Sequence, residues 1–279
     1  VSKMVQEARK WASSFLEKYH REPRVADLML QHLLNVDLAD FLLIQRDEIN
    51  AELLETFESW VQEHAETGKP LEHFLGVASF YGREFSVNQH VLIPRPETEE
   101  LIETVKPLIK PSDVVVDVGT GSGIIAITLK KEMPDVQMLA TDISLEALAV
   151  AQKNAEKLDA DVQFEQGNFL KPLIDSEVTV DVVVSNPPYI PKSESGELSE
   201  VVMHDPDLAL FANDQGLAAY RDIIEQISYL KTLPRLVAFE IGYDQGATVP
   251  ELIRKAHPNA VIQVLQDING KDRIVIWKN

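Results

Sequence analysis

Four consecutive residues, Asn186-Pro187-Pro188-Tyr189, directly follow the apolar run Val182-Val183-Val184-Ser185. A carboxamide at a strand end offers a neutral hydrogen-bond acceptor, the proline after it leaves a rigid backbone carbonyl, and the aromatic ring supplies a flat wall. The set suits a planar N–H2 group. An adenine exocyclic amine and a primary carboxamide both qualify, since each is flat, conjugated and rich in donors. Asn186, Pro187 and Tyr189 are therefore the candidate catalytic residues, with Pro188 beside them in the acceptor pocket.

A second cluster, Asp117-Val118-Gly119-Thr120-Gly121-Ser122-Gly123, stands where an apolar strand gives way to a helix. Glycines there let the backbone approach a ligand closely, and the helix start offers unpaired N–H groups. A dinucleotide fingerprint carries glycine at the first, third and sixth positions of the loop, whereas the sixth position here is Ile124. That spacing favours S-adenosylmethionine over a pyrophosphate. Asp117 points the same way, because a carboxylate in this turn can hold an amino group by a charge-assisted hydrogen bond. Asp142, after the next strand, is placed to accept ribose hydroxyls. Asn168, after the third strand, is placed for adenine N6, or else forms with Phe169 a turn bearing a core aromatic. Gly119, Thr120, Gly121, Gly123, Ile143, Phe169 and Asn186 complete the candidate cofactor set. The seven histidines are scattered without paired spacing, so no metal is expected.

Composition narrows the partners. With 279 residues, 45% of them hydrophobic, the chain can build two domains with sizeable cores. It carries 26 basic and 45 acidic residues, a formal net charge of -19 and a sequence pI near 4.7. Non-specific affinity for nucleic acid comes almost wholly from Lys and Arg neutralising phosphates, so no direct nucleic-acid partner is expected. The absence of cysteine excludes disulfides, thiolate metal sites and a cysteine nucleophile. No stretch approaches the roughly 20 apolar residues of a membrane span, and no charged-then-apolar leader opens the sequence. A cytoplasmic monomer with no membrane partner is expected.

The elements that must hold these residues follow from hydrophobic periodicity. Residues 1 to about 75 read as four or five helices. Val5, Ala8, Ala12, Phe15, Leu16 and Tyr19 form one stripe; Val25, Leu28, Met29 and Leu33 form a second after Pro23. A third, Leu53, Leu54, Phe57, Trp60 and Val61, should end near Gly68-Lys69-Pro70. Extended runs around Tyr81-Gly82-Arg83 predict a hairpin linker over 76–92. From residue 93 a helix with Leu101, Ile102 and Val105, capped by Thr98, precedes a strict alternation. Strands are predicted over 114–118, 136–140, 162–165, 180–184 and 236–241, with helices over 124–132, 145–158, 217–230 and 249–256. Such alternation implies a largely parallel sheet with helices on both faces. Residues 261–266 and 273–277 predict a terminal antiparallel pair turned at Asn269-Gly270.

Along almost its whole length the chain resembles the bacterial protein-(glutamine-N5) methyltransferases that modify peptide chain release factors. The resemblance rests on the helical N-terminal part, Phe85-Ser86-Val87-Asn88, the segment Val91-Leu92-Ile93-Pro94-Arg95-Pro96-Glu97-Thr98-Glu99, the glycine loop, Asn186 to Tyr189, and Asp267 to Arg273. The tetrad is shared with N6-adenine methyltransferases of DNA and RNA, and Pro94-Arg95 with a sister family acting on a ribosomal protein. Pro96-Glu97-Thr98-Glu99 favours the release-factor branch. The resemblance implies a Rossmann-like class I methyltransferase domain over 93–279, with a mostly parallel seven-stranded sheet, behind an all-α bundle over 1–75 that docks the release factor. It implies methyl transfer from S-adenosylmethionine, leaving S-adenosyl-L-homocysteine, to the glutamine side-chain nitrogen of the Gly-Gly-Gln loop in class 1 release factors. Asn186 and Pro187 would hold the amide, and Arg95 and Glu97 would bind the incoming loop or brace the tetrad. Glu240, ending a strand at the same sheet edge, is expected to face the cofactor. The stretch Glu197 to Leu210 departs from the family's usual pattern and is expected to form a lid, with His204 a loop residue.

Overall fold

A computed structural model describes residues 3–191 and 202–279; Glu197 to Val201, the first part of the expected lid, lie outside the described residues. Contacts divide the chain into two units, the first residues 1–76 together with the short stretch 202–204, and the second beginning at Val77.

The first unit contains α1 (Val5–Lys18), α2 (Arg24–Leu34), α3 (Leu38–Leu43), α4 (Ala51–Thr67) and α5 (Leu71–Leu75). Its core joins Val5, Ala8, Ala12 and Leu16 of α1 to Phe57, Val61 and Ala65 of α4, with Phe74 at one end. On α2 the fully buried residues are Ala26, Met29 and Leu30, while Val25, Leu28 and Leu33 sit at the rim. The buried face is thus rotated by about one residue from the predicted stripe. Ala26 does this: its small side chain lets α2 approach closely, a packing advantage that a count of large apolar residues overlooks. Gly68, at φ +69°, ends α4 in the left-handed conformation that the sequence anticipates.

The second unit opens with β1 (Val77–Phe80) and β2 (Arg83–Ser86), paired antiparallel. Tyr81 and Gly82 both have positive φ, +50° and +69°, the pattern of a two-residue turn matched to strand twist. The Tyr81 N–H donates to the Glu99 carboxylate at 2.7 Å, which holds this non-glycine residue there.

The rest of the unit alternates as expected. In chain order it comprises α6 (Pro96–Val105), β3 (Val114–Val118), α7 (Ile124–Glu132), β4 (Gln137–Asp142), α8 (Leu145–Lys157), β5 (Val162–Gln166), α9 (Lys171–Asp175) and β6 (Val182–Ser185). Then come β7 (Ile190–Pro191), α10 (Asp207–Leu210), β8 (Phe211–Ala212), α11 (Asn213–Gly216), α12 (Ala218–Ile227), β9 (Leu236–Glu240), α13 (Thr248–Ala256), β10 (Val261–Gln266) and β11 (Asp272–Lys278).

Seven strands form one sheet in the order β10-β11-β9-β6-β3-β4-β5, and two apolar clusters cover its two faces. All neighbouring pairs are parallel except β9 with β11 and β11 with β10, the terminal pair that Gly270 (φ +74°) turns. From β3 the chain winds outward through β4 to β5, then returns to place β6 on the other side of β3. Ligands of open parallel sheets bind at such a reversal, outside the carboxyl ends of the strands.

Candidate active site

The carboxyl ends of β3, β4, β6 and β9 bring most of the sequence-selected residues to one edge. After β3, Gly119, Gly121 and Gly123 all have positive φ (+73°, +55° and +84°). The three glycines serve different ends. A methyl group on Gly123 would stand 2.8 Å from Ile127 Cδ1 and 3.2 Å from Ala151 Cβ, so this glycine lets α7 and α8 close on the turn. At Gly119 and Gly121 such a carbon would meet nothing within 4 Å, so the loop presents bare backbone to open space there. Carbonyl Thr141 at the end of β4 accepts the N–H groups of Gly119 (2.8 Å) and Thr120 (2.9 Å), which pins the loop to the sheet.

Asp117 is fully buried beneath this loop. Its Oδ2 accepts the Thr120 hydroxyl at 2.6 Å and the Ala126 N–H at 3.2 Å, while Oδ1 has no partner. Burial pushes this carboxyl up to about 7, with the Thr120 and Ala126 hydrogen bonds opposing the shift. An unpartnered, desolvated carboxylate oxygen asks for a donor, and a cationic one satisfies it best. Asp142 braces the same loop: its Oδ2 accepts the Gly121 N–H at 2.9 Å and its Oδ1 the Ser144 N–H at 2.9 Å. Each oxygen keeps a lone pair for a hydroxyl. Burial raises this carboxyl too, against the backbone hydrogen bonds. Ile143 is exposed beside it. Asn168 is exposed after β5, and Phe169, at φ +54°, packs partly buried against the core.

After β6 the Ser185 hydroxyl donates to the Val118 carbonyl at 2.6 Å, tying the tetrad's root to the glycine loop's root. Asn186 is half-buried and Pro187 buried. The Asn186 Nδ2 lies 3.3 Å from Thr98 Oγ1, and Thr98 Oγ1 lies 2.7 Å from Glu240 Oε2. Thr98 is therefore no cap. Pro96 takes the first position of α6, the place where a missing N–H costs nothing, and Arg95 stands before it; Thr98 points inward from the first turn. Glu240, expected to face the cofactor, spends one carboxylate oxygen on this hydroxyl. Burial pushes its carboxyl up to about 7, opposed by the Thr98 bond and by Arg273.

Tyr189 packs beside this group, and its carbonyl accepts from Gln245 Nε2 at 3.2 Å. Burial, then the charge of Glu240, pushes its phenol up to about 12, so it stays neutral and cannot serve as a base. Glu97 and Arg95 also bear on that phenol electrostatically. Arg95 pairs with Asp205, whose carboxylate also accepts the Ile93 N–H at 3.2 Å. His204 Nε2 stands 2.9 Å from the Thr67 carbonyl, so that nitrogen donates and is no base. No group of His, Cys, Asp and Glu suited to a metal ion occurs among the described residues.

Sequence reasoning missed Asp205 and Gln245 and misread Thr98. A signal existed for Thr98: proline fixes the first turn of α6 and leaves the threonine inside it. None existed for Gln245, whose partners Tyr189 and Gly216 come together only in the folded chain.

Two family models match the chain, the methyltransferase small domain over residues 96–207 and the PrmC N-terminal domain over residues 7–76. A release factor glutamine methyltransferase of Bacillus subtilis is 45% identical over 280 residues, covering 98% of this chain and 97% of that protein. One from Bacillus anthracis is 43% identical over 97% of this chain and 98% of its own length. Among solved structures, the hMettl16 catalytic domain in complex with a MAT2A 3'UTR hairpin superposes with a TM-score of 0.57 at 16% identity, over 84% of each chain. A methyltransferase from Pyrococcus furiosus gives 0.51 at 16% identity, over 72% of this chain and 90% of that one.

Proposed function

The chain belongs to the release factor glutamine methyltransferase family, and we propose that it methylates the side-chain nitrogen (N5) of the Gly-Gly-Gln glutamine in class 1 release factors, using S-adenosylmethionine. Its second unit has the class I methyltransferase fold. The observation that carries the reading is the meeting of Asn186 and the Asp117 to Gly123 loop at the sheet's reversal, their roots joined by the Ser185–Val118 bond.

On this reading Asp117 Oδ1 receives the cofactor's ammonium, which supplies the partner that this buried oxygen lacks. The free edge of Gly119, Thr120 and Gly121 lies against the cofactor, with Gly123 closing the turn behind. Asp142 takes the ribose hydroxyls, with Ile143, Asn168 and Phe169 toward the adenine. Bound S-adenosylmethionine supplies an activated methyl group and leaves as S-adenosyl-L-homocysteine. The chain's own work is to hold a poor nucleophile. The lone pair of an amide nitrogen is delocalised into its carbonyl, so positioning must make up for low reactivity. Asn186 Oδ1 accepts one amide N–H and the Pro187 carbonyl the other, while Pro188 and Tyr189 wall the plane. Ideal orientation contributes up to about 7–11 kcal/mol. No base is required, because the amide sheds its proton after transfer. Arg95 and Glu97 stand at the rim toward the incoming loop, and the helical unit docks the release factor away from the glutamine.

Asn186→Ala is expected to lower kcat on release factor by at least about 100-fold, with cofactor affinity within about threefold of wild type. Activity near wild type in that variant removes Asn186 from the mechanism.

A further inference from the structure

We infer that Thr98 and Glu240 are positioning residues that set which end of the Asn186 carboxamide faces the substrate. The inference rests on the reading above, in which Asn186 accepts the glutamine N–H.

Thr98 Oγ1 carries one proton and two lone pairs. At 2.7 Å from Glu240 Oε2 it faces an oxygen that, ionised, can only accept, so the threonine proton goes there. Toward Asn186, 3.3 Å away, Oγ1 can then only accept. A carboxamide offers one donor end and one acceptor end, so Nδ2 is turned to Thr98 and Oδ1 is left for the substrate. The reversed amide would present N–H to the N–H2 of glutamine, donor against donor. Thr98 and Glu240 are each 1% exposed, so water cannot take either place. The fold fixes all three partners. In the parallel pairing of β6 with β9, Ser185 stands opposite Phe239, and one step further along puts Asn186 beside Glu240. The Tyr220 hydroxyl, from α12, donates to the Glu240 carbonyl at 2.7 Å and holds that end of β9. Thr98 enters from the first turn of α6. The polarity of the pocket thus selects a donating amide over a carboxylate.

Protonation of Glu240 releases the arrangement, because a carboxylic acid can donate to Thr98 and free the threonine proton to turn to Asn186. The charged and titratable groups facing Glu240 are Arg273 on β11 and Arg95 ahead of α6, which favour the anion, Glu97 on α6, which disfavours it, and the neutral phenols of Tyr189 and Tyr220.

The test measures kcat at saturating cofactor and release factor, with cofactor affinity and Tm as controls, for Thr98→Val, Thr98→Ser, Glu240→Gln and Asn186→Ala. Thr98→Val, isosteric but without the hydroxyl, is expected to lose at least about tenfold in kcat, and Thr98→Ser to stay within about threefold of wild type. The Thr98→Val/Asn186→Ala double variant should be no slower than Asn186→Ala alone. Wild-type kcat should rise with pH through about 7, and Glu240→Gln, which can accept through Oε1 but gains no proton, should lose that limb. Should Thr98→Val fold poorly, the Glu240→Gln profile decides alone. A wild-type kcat in Thr98→Val, or an unchanged limb in Glu240→Gln, overturns the inference while Asn186→Ala remains inactive. A fully active Asn186→Ala overturns instead the reading beneath it.

Discussion

Two carboxyls in this site, those of Asp117 and Glu240, are driven up to about 7 by burial, and for Asp117 the consequence reaches stability. Its folded value lies above its unfolded one, so the folded state binds the proton more tightly. Ionisation therefore weakens folding as pH rises through about 7, and protonation relieves the cost as pH falls. Asp117→Asn removes that dependence. The Tm of the variant minus that of wild type, both without cofactor, should be more positive at pH 8 than at about pH 5, and the variant should bind S-adenosylmethionine at least about tenfold more weakly. A pH-independent Tm difference would mean that the folded state holds the Asp117 proton no more tightly than the unfolded state. Asn186 was legible from the sequence as a carboxamide at a strand end, because strand, asparagine and proline are contiguous. Its orientation was not legible, because the hydroxyl and carboxylate that set it come from α6, 88 residues earlier, and from β9. Thr98 looked like a cap because threonine before a helical stripe usually is one, but Pro96 had already claimed the start of α6.

Among the elements, the strands and helices around the glycine loop were the most legible. β3 and α7 run over the predicted residues, since a short apolar run, a glycine turn and a helical stripe leave little choice of boundary. β4 runs two residues past its predicted end, to Asp142, because pairing with β5 continues to Gln166. That extension carries Asp142 under the loop. Periodicity could not show how the β1–β2 hairpin is held. Asn154 on α8, fully buried, accepts the Ser86 N–H at 2.7 Å and donates to the carbonyls of Ser86 and Ser122, both at 2.9 Å. One side chain thus joins hairpin, helix and glycine loop. Asn154→Ala should cost about 2–4 kcal/mol, because it leaves backbone groups unpaired in a dry site. Denaturant unfolding measures the loss, and a loss below about 0.5 kcal/mol would mean that the three bonds are replaced by others.

For the molecule as a whole, the family membership points to a protein substrate, and the formal charge of -19 weighs against loose binding to nucleic acid. The tetrad by itself does not decide this, since adenine and glutamine present the same flat N–H2 group. The segment from Pro96 to Glu99, readable before any fold was known, favours the release-factor branch, and the match of residues 7–76 to the PrmC N-terminal domain agrees with it. The most direct measurement is transfer of labelled methyl from S-adenosylmethionine to an intact class 1 release factor, to the same factor with its Gly-Gly-Gln glutamine replaced, to a short peptide of that loop, and to single-stranded and duplex DNA. The account predicts label on the intact factor, markedly less on the peptide, and none on the replaced factor or on DNA. Label on DNA, or on the factor lacking the glutamine, would contradict it.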